Sequence, residues 1–507
     1  MNVQSSSIMR KRRKVGAARA GKVLVLLSVC LPMLFGLLGL VIDGSLLMVS
    51  SRDLQSLADA SATRAAVALK EHSGPAALRE AVLETIQNDS KFANMEYEVH
   101  NPPTSGAYVG RSDYVEVQLT EKIPSHFIQI VGGESSQVVR SRAVAGLEYS
   151  SVGAAIAVLD PDPSPVVISG LPAGLLTVAL PSPQLGGLEV LGAGALEVDG
   201  AVHVNTEWGG VDVNGDPAGE EPPLGGLRHA ISCTPLLPLT KLKAREVRTT
   251  GGVGNPRNYG HFDPGEPCPL AANRLPVPDP YEHLSVPTLS SDPANVVNVD
   301  HGGVNIVSLP LLGRTTRLSP GVYDWINIVS GRVVFEPGIY IVRSVNPLTG
   351  IAISLTAGTV DADGVMFYVT DASTYSAVTG LPDLAVDSTT PPPNHVGSLL
   401  PSVIINASLP GSRFRGLDDP TSPFDGLLIY QRRSLRKPIV LVAAGLLLLD
   451  ADVSGSVYAR WGQVLFVAEG TYDLTFACGT LRIVNALNCN LVPSKPLPPA
   501  SDIYLVE

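Results

Sequence analysis

His229 with Cys233, and His261 with Cys268, place two imidazoles and two sulfurs in one stretch of the chain, and these are donors that zinc takes. The spacings match no tight zinc knuckle, and thiols outside the cytosol pair as disulfides more often than they hold metal. A disulfide is the preferred reading. Cys478 and Cys489 are the other two cysteines beyond the apolar N-terminal run, which holds Cys30. Nearness in sequence favours bridges from Cys233 to Cys268 and from Cys478 to Cys489, but four cysteines can pair in more than one way and the connectivity stays open. Asp361 and Asp363, in Asp361-Ala362-Asp363-Gly364, would point from one face of a strand, as paired carboxylates of glycan-cleaving enzymes do. The same residues also make an ordinary turn. Arg432-Arg433-Ser434-Leu435-Arg436-Lys437 is the strongest basic cluster outside the N-terminus and precedes Pro438, which reads as a solvated turn, with partner docking as the alternative. His203, between Val202 and Val204, reads as a solvent-facing strand residue. The sequence holds no Gly-rich phosphate loop, nucleophile elbow or His-Glu-x-x-His motif. No catalytic residue, cofactor site or metal site is therefore expected.

The elements that would position these residues are strands. Short β-type runs recur through residues 151–490, among them 188–191, 195–198, 202–204, 304–307, 326–329, 332–335, 339–342, 351–355, 364–369, 427–430, 439–442, 446–449, 456–459 and 464–467. Many are joined by Gly or Asp-Gly turns too short for a crossover helix. Stacked rungs of a parallel β-helix explain the pattern best, because each rung buries its apolar face only against its neighbours. A β-sandwich of hairpins is the alternative. Residues 206–300 and 371–424, rich in Pro, Gly, Asp and Ser, are expected to be insertions or surface loops. The proline-rich tail, 491–507, is expected to be extended.

The N-terminus differs in character. Val23 to Ile42 is an apolar run of 20 residues, preceded by seven Lys and Arg residues and no acid in the leader 1–22. Twenty helical residues reach roughly 30 Å, the thickness of a bilayer's hydrocarbon core. A transmembrane helix at 23–42 follows, and the basic leader places the N-terminus in the cytoplasm and the C-terminal bulk outside. The run exceeds a signal peptide's apolar region and leads into Asp43-Gly44-Ser45 with no small-x-small site, so an uncleaved anchor is expected. Pro32 should kink the helix, while Gly36 and Gly39 could let another helix approach. The chain carries a net charge of −11 and the leader +7, which leaves −18 on the rest. An acidic ectodomain does not suit nucleic acid.

Beyond the run, Leu47, Leu54, Ala58, Ala65 and Leu69 fall on one helical stripe. Gly74-Pro75 breaks that helix, and Leu78, Val82 and Ile86 mark a second. The period then changes to two, with strands at 95–100, 115–119 and 137–147. Residues 43–147 thus read as a long helix, a short helix and a small antiparallel sheet.

Several of these residues form a recognisable combination: Arg19 and Gly21, Leu31-Pro32, Gly36, Gly39, Val41 with Asp43, then Arg52, Leu54-Gln55 and Ala58-Asp59-Ala60. With Asn101-Pro102-Pro103, Ser105-Gly106, Tyr108, Gly110, Tyr114-Val115-Glu116-Val117, Phe127 and Arg142-Ala143-Val144-Ala145-Gly146, it resembles the N-terminal module of TadE/TadG-like pilus-assembly proteins over about residues 17–147. TadE-type pseudopilins are cut after a glycine that has a glutamate at the fifth position beyond it. Here that position after Gly21 is Leu26, so the permanently anchored TadG-like form fits better. Some TadG-like proteins carry a von Willebrand A domain, but Asp160-Pro161-Asp162-Pro163-Ser164 lacks the middle serine of its metal motif. The resemblance implies a non-enzymatic, single-pass protein of a bacterial inner membrane. Its expected partners are the membrane and other pilus-assembly or pilin proteins, with a surface glycan as a further candidate and no nucleic acid. The alternative is a membrane-tethered β-helix that binds or cleaves a glycan.

Overall fold

The computed structural model describes residues 20–70, 74–88, 95–131, 134–164, 166–169, 184–221, 228–235, 241–291, 300–307, 315–372, 374–376, 391–394, 397–444, 451–485 and 488–506. Most of the basic leader and the apolar run 446–449 lie outside them. Two units form, one from Met1–Glu148 with Ile503–Glu507 and the other from Tyr149–Asp502.

The first unit begins with α1 (Ala20–Lys70), a continuous 51-residue helix that passes through Pro32. It is long and apolar enough to cross a membrane. Its second half changes role. Leu54, Leu57, Ala58, Ala62 and Ala65 are buried against Leu78, Val82 and Ile86 of α2 (Pro75–Asn88) and against Val115, Val117 and Leu119. The helix stripe is rich in alanine because small side chains let the helix lie close to a sheet. That sheet comprises β1 (Glu96–His100), β2 (Tyr114–Pro124) and β3 (Ser136–Tyr149), paired antiparallel. The strand Ser501–Leu505 joins it beside β3, and the Val506 N–H donates to the Val144 carbonyl at 2.9 Å. The tail expected to be merely extended therefore closes a sheet edge, supplying backbone partners that β3 would otherwise lack.

In the second unit, the described strands of a 23-stranded sheet pair in parallel and fall into three ladders. One ladder runs through Gly303–Val307, Trp325–Ser330, Ile353–Leu355, Val403–Asn406 and Ile439–Val442. The second includes Thr315–Leu318, Arg332–Phe335, Thr359–Ala362 and Arg413–Arg415, and the third Gly321–Tyr323, Gly338–Val342, Val365–Val369 and Leu427–Gln431. The chain visits one ladder after another before returning to the first, one position further on. Alternate residues of each strand face a continuous apolar interior that includes Ile326, Ile353, Val403, Phe335, Phe367 and Ile429. Among the described residues of this unit, antiparallel pairing is confined to Gly210–Val211 with Pro217–Ala218 and to isolated bridges.

The stacking order is not the chain order. Ala154–Val158 and Gly186–Gly192 pair with Gly470–Asn485, while Leu196–Val204 pairs with Ala154–Val158 and with Cys489–Leu491. The stack then continues through His229–Pro235, Leu242–Thr249, Tyr259–His261 and Leu270–Ala271. The first strands of the unit thus dock on its last.

Two expectations need correction. The stretch 206–300 is not a loop insertion, because 229–235, 242–249, 259–261 and 270–271 are strands in register within the ladders. The stretch 371–424 likewise holds Val403–Asn406 and Arg413–Arg415 in the ladders, and Gly397–Leu399 paired with Val166–Ile168. Proline and glycine in these stretches mark corners between short strands. Residues 277–289 have a role of their own: Val277, Tyr281, Leu284, Val286 and Leu289 cover the outward column Tyr368, Tyr430 and Tyr458, whose successive rings stand 5.0 Å apart.

Candidate functional site

The residues singled out on α1 meet the tip of the β2–β3 hairpin. Asp43 is 2% exposed, and its carboxylate accepts the backbone N–H groups of His126 at 3.2 Å, Phe127 at 2.7 Å and Ile128 at 2.8 Å. A short 3-10 turn, Ile128–Val131, starts there, and the carboxylate satisfies donors at its N-terminal end. Gly39 lies one turn earlier. A Cβ placed on it would sit 2.5 Å from the Phe127 ring, so only glycine leaves room for that ring against the helix. Gly36, by contrast, faces open space. Further along, Gln55 donates to the Asp59 carboxylate at 2.8 Å and to the Arg142 carbonyl of β3 at 3.1 Å. Arg52 is exposed.

On the sheet face away from α1, Glu116 is fully buried. It accepts from the Thr104 backbone N–H at 2.7 Å, the Ser105 hydroxyl at 2.6 Å and the Arg142 guanidinium at 2.5 Å. Burial alone would raise its pKa, but these hydrogen bonds outweigh that effect and hold the carboxyl well below the usual glutamate range. The covering loop is held in turn by Asn101, whose amide donates to the Ser112 and Tyr114 carbonyls at 2.8 Å each. The Tyr114 ring rests on Gly146, where a Cβ would lie 2.1 Å from it. Strand alternation puts Glu116 on the face of β2 opposite Val115 and Val117. Its burial comes from the loop at 101–110, and the companion signal in sequence was Arg142, a cation on the neighbouring strand.

These contacts fix the helix to the sheet at three heights, through Asp43, through Gln55 and through the apolar stripe. Their chemistry is hydrogen bonding and close packing, suited to holding a position. The family comparison falls on this helix. Residues 21–68 match the Tad family model, Flp pilus-assembly TadE/G-like. Over these residues the helix is similar to TadE/G-like proteins. The match stops before α2 and the sheet, so it covers Gly36, Gly39, Asp43, Arg52, Gln55 and Asp59 and leaves Glu116 and Arg142 outside. No curated protein and no solved structure matches the chain.

The residues outside the TadE/G-like segment that had chemical promise are placed differently from expectation. All four cysteines of the second unit are free thiols. Cys478 and Cys489 are buried on strands whose partners are Ala459 and Val158 for the first and Gly470 and Leu196 for the second, so each packs as a small apolar side chain. Burial pushes the Cys489 thiol up to about 12. Cys233 lies 3.8 Å from the Tyr259 hydroxyl and Cys268 lies 3.8 Å from the Tyr259 carbonyl, at opposite ends of one residue. His229 bonds to the Gly209 carbonyl and His261 to Asp263. Among the described residues, no group of three or more His, Cys, Asp or Glu is arranged to hold a metal ion.

His203 is buried and not solvent-facing. The basic cluster is not a solvated turn either. Arg433 is 4% exposed and donates to the Tyr458 hydroxyl at 2.8 Å and to the Tyr281 and Leu284 carbonyls at 2.5 and 2.9 Å. Arg436 pairs with Asp160 at 2.5 Å, and Lys437 with Asp371 at 2.5 Å. The run of cations is used internally, to pin the covering segment 277–289 and the first strand's exit at Asp160. Asp363 stands at the rim of a cleft of about 210 Å³, together with Arg415, Asp418, Asp473, Thr475 and Lys495. Three of its charges are paired: Arg413 bridges Asp363 and Asp452, Arg415 binds Asp452, and Lys495 binds Asp425.

Proposed function

We propose that the chain is a membrane-anchored, non-enzymatic component of Tad/Flp-type pilus assembly or surface attachment. The basic leader faces the cytoplasm of a bacterial inner membrane, α1 crosses it once, and the remainder is exported. The reading is carried by the TadE/G-like match at 21–68, which coincides with the helix that Asp43 and Gln55 tie to a sheet. The three parallel ladders are read as a parallel β-helix, which serves as a spacer or attachment surface. Contact with other assembly or pilin helices would use the outward stripe of α1, where Arg52, Ser56, Ala60 and Thr63 are exposed.

Photo-crosslinkers placed at those four positions should capture a pilus-assembly protein or pilin, and deletion of the gene should reduce pilus number or attachment. Normal pili and attachment in the deletion strain would overturn the proposal. A second reading, a membrane-tethered glycan-binding or glycan-cleaving protein, is favoured by the polar cleft beside Asp363. It requires that Asp363→Asn or Asp361→Asn abolish binding or cleavage of a polysaccharide by the purified chain.

A further inference from the structure

We propose that the tip of the β2–β3 hairpin enters the bilayer beside α1, with the Phe127 ring in lipid at the depth of Gly39. The inference rests on the reading of α1 as a membrane span and goes beyond the assembly role. Gly39 lies within the apolar run 23–42, four residues before Asp43 and so about 6 Å further in along the helix. Phe127 reaches that depth because its ring packs directly on Gly39. Phe127 is still 37% exposed, and the helix around it presents exposed Phe35, Leu38 and Ile42. The ring's free face therefore meets the medium that surrounds the span, which is lipid.

Irregular backbone enters hydrocarbon only where its polar groups are satisfied. Asp43 meets that condition for three consecutive N–H groups of the hairpin tip, those of His126, Phe127 and Ile128. The same bonds remove Asp43 as a bare charge that would stop the bilayer. Beyond it the helix still exposes Leu46 at 45%, Met48 at 71% and Val49 at 56%, and the next charged residue is the exposed Arg52. From Leu24 to Val49 the apolar surface runs about 39 Å at 1.5 Å per residue, which exceeds the roughly 30 Å hydrocarbon core and reaches into the interfacial layer. The hairpin tip lies alongside the Gly39 to Asp43 part of that surface.

The test uses the full chain with its five native cysteines changed to alanine, reconstituted in phosphatidylcholine vesicles. Single cysteines at Phe127, Gln129, Leu34 and Arg52 carry an environment-sensitive fluorophore. The expected result is that Phe127→Cys and Leu34→Cys are quenched by lipids bearing a nitroxide on the acyl chain and are protected from aqueous iodide. Arg52→Cys should show the reverse. Gln129→Cys, an exposed neighbour that leaves the Phe127 seat intact, should report the interfacial layer, with quenching by headgroup-labelled lipid. Iodide quenching of the Phe127 and Gln129 probes equal to that at Arg52, with Leu34 still in lipid, would overturn the insertion while leaving the span standing. If Leu34 were also open to iodide, the span and the insertion would fall together. Shielding of Phe127 from both quenchers would mean that a second copy of the chain, and not lipid, covers the ring, and would also overturn it.

Discussion

Glu189 and Arg482 are 293 residues apart, yet they face each other in register where Gly186–Gly192 docks on Gly470–Asn485, with the guanidinium 2.7 Å from the carboxylate. Their side chains are 2% and 3% exposed. Removing one member leaves an uncompensated charge in the interior, which costs ~3–5 kcal/mol, whereas replacing both by apolar groups of similar volume is near neutral or stabilising. Glu189→Leu and Arg482→Leu should therefore each lower the stability of the second unit by that amount, and the double variant should be more stable than either. Urea unfolding of the detergent-solubilised chain reads this directly, because Trp208, Trp325 and Trp461 are the only tryptophans and all lie in the second unit. A double-mutant cycle gives the coupling. Single substitutions costing less than ~1 kcal/mol, or a double variant equal to the sum of the singles, would refute the claim that the two buried charges depend on each other across the joint.

Three further predictions concern smaller features. Glu116 has its folded pKa held below the ordinary 4.5, so its contribution to stability is fully present above about that pH and is lost as pH falls through the folded value. The gap in melting temperature between the parent and Glu116→Gln should accordingly be largest near pH 7 and shrink below pH 4.5; a gap unchanged between pH 7 and pH 3 would count against the assignment. Gly39→Leu should displace Phe127 at an overpacking cost of ~1–3 kcal/mol, seen as faster amide exchange at 126–128, while Gly36→Leu should leave exchange unchanged because nothing lies within 4 Å of its Cβ position. Cys478 and Cys489 should resist iodoacetamide in the folded chain, react fully once unfolded without reductant, and give no disulfide-linked peptide on mass analysis.

How much was legible in the sequence varies by residue. Asp43, Gln55 and Gly39 were marked by their places after and within an apolar run, and the structure gives each a partner, on the hairpin for Asp43 and Gly39 and on β3 for Gln55. Gly39 was read as a seat for another helix and instead seats Phe127, because the hairpin that fills the groove is 80 or more residues away and leaves no trace in local spacing. Glu116, Glu189, His203 and Arg433 all fall on the polar side of a strand or in a turn, which sequence reads as solvent. Each is buried. In physical terms, strand alternation reports which face meets the core, while the fate of the other face depends on whether a distant segment covers it.

The sequence by itself determined the local elements: an apolar run long enough to cross a membrane, a helix stripe at Leu54 and Ala58, and the short strands with their glycine corners. These follow from periodicity and backbone preference within a few residues. Only the tertiary structure decided the order of the stack, with Ala154–Val158 docked on Gly470–Asn485, and the conversion of the Arg433 cluster from surface to clamp. Those outcomes are set by long-range burial and by charges that must find partners once they leave water, and neither is encoded in the spacing of neighbouring residues.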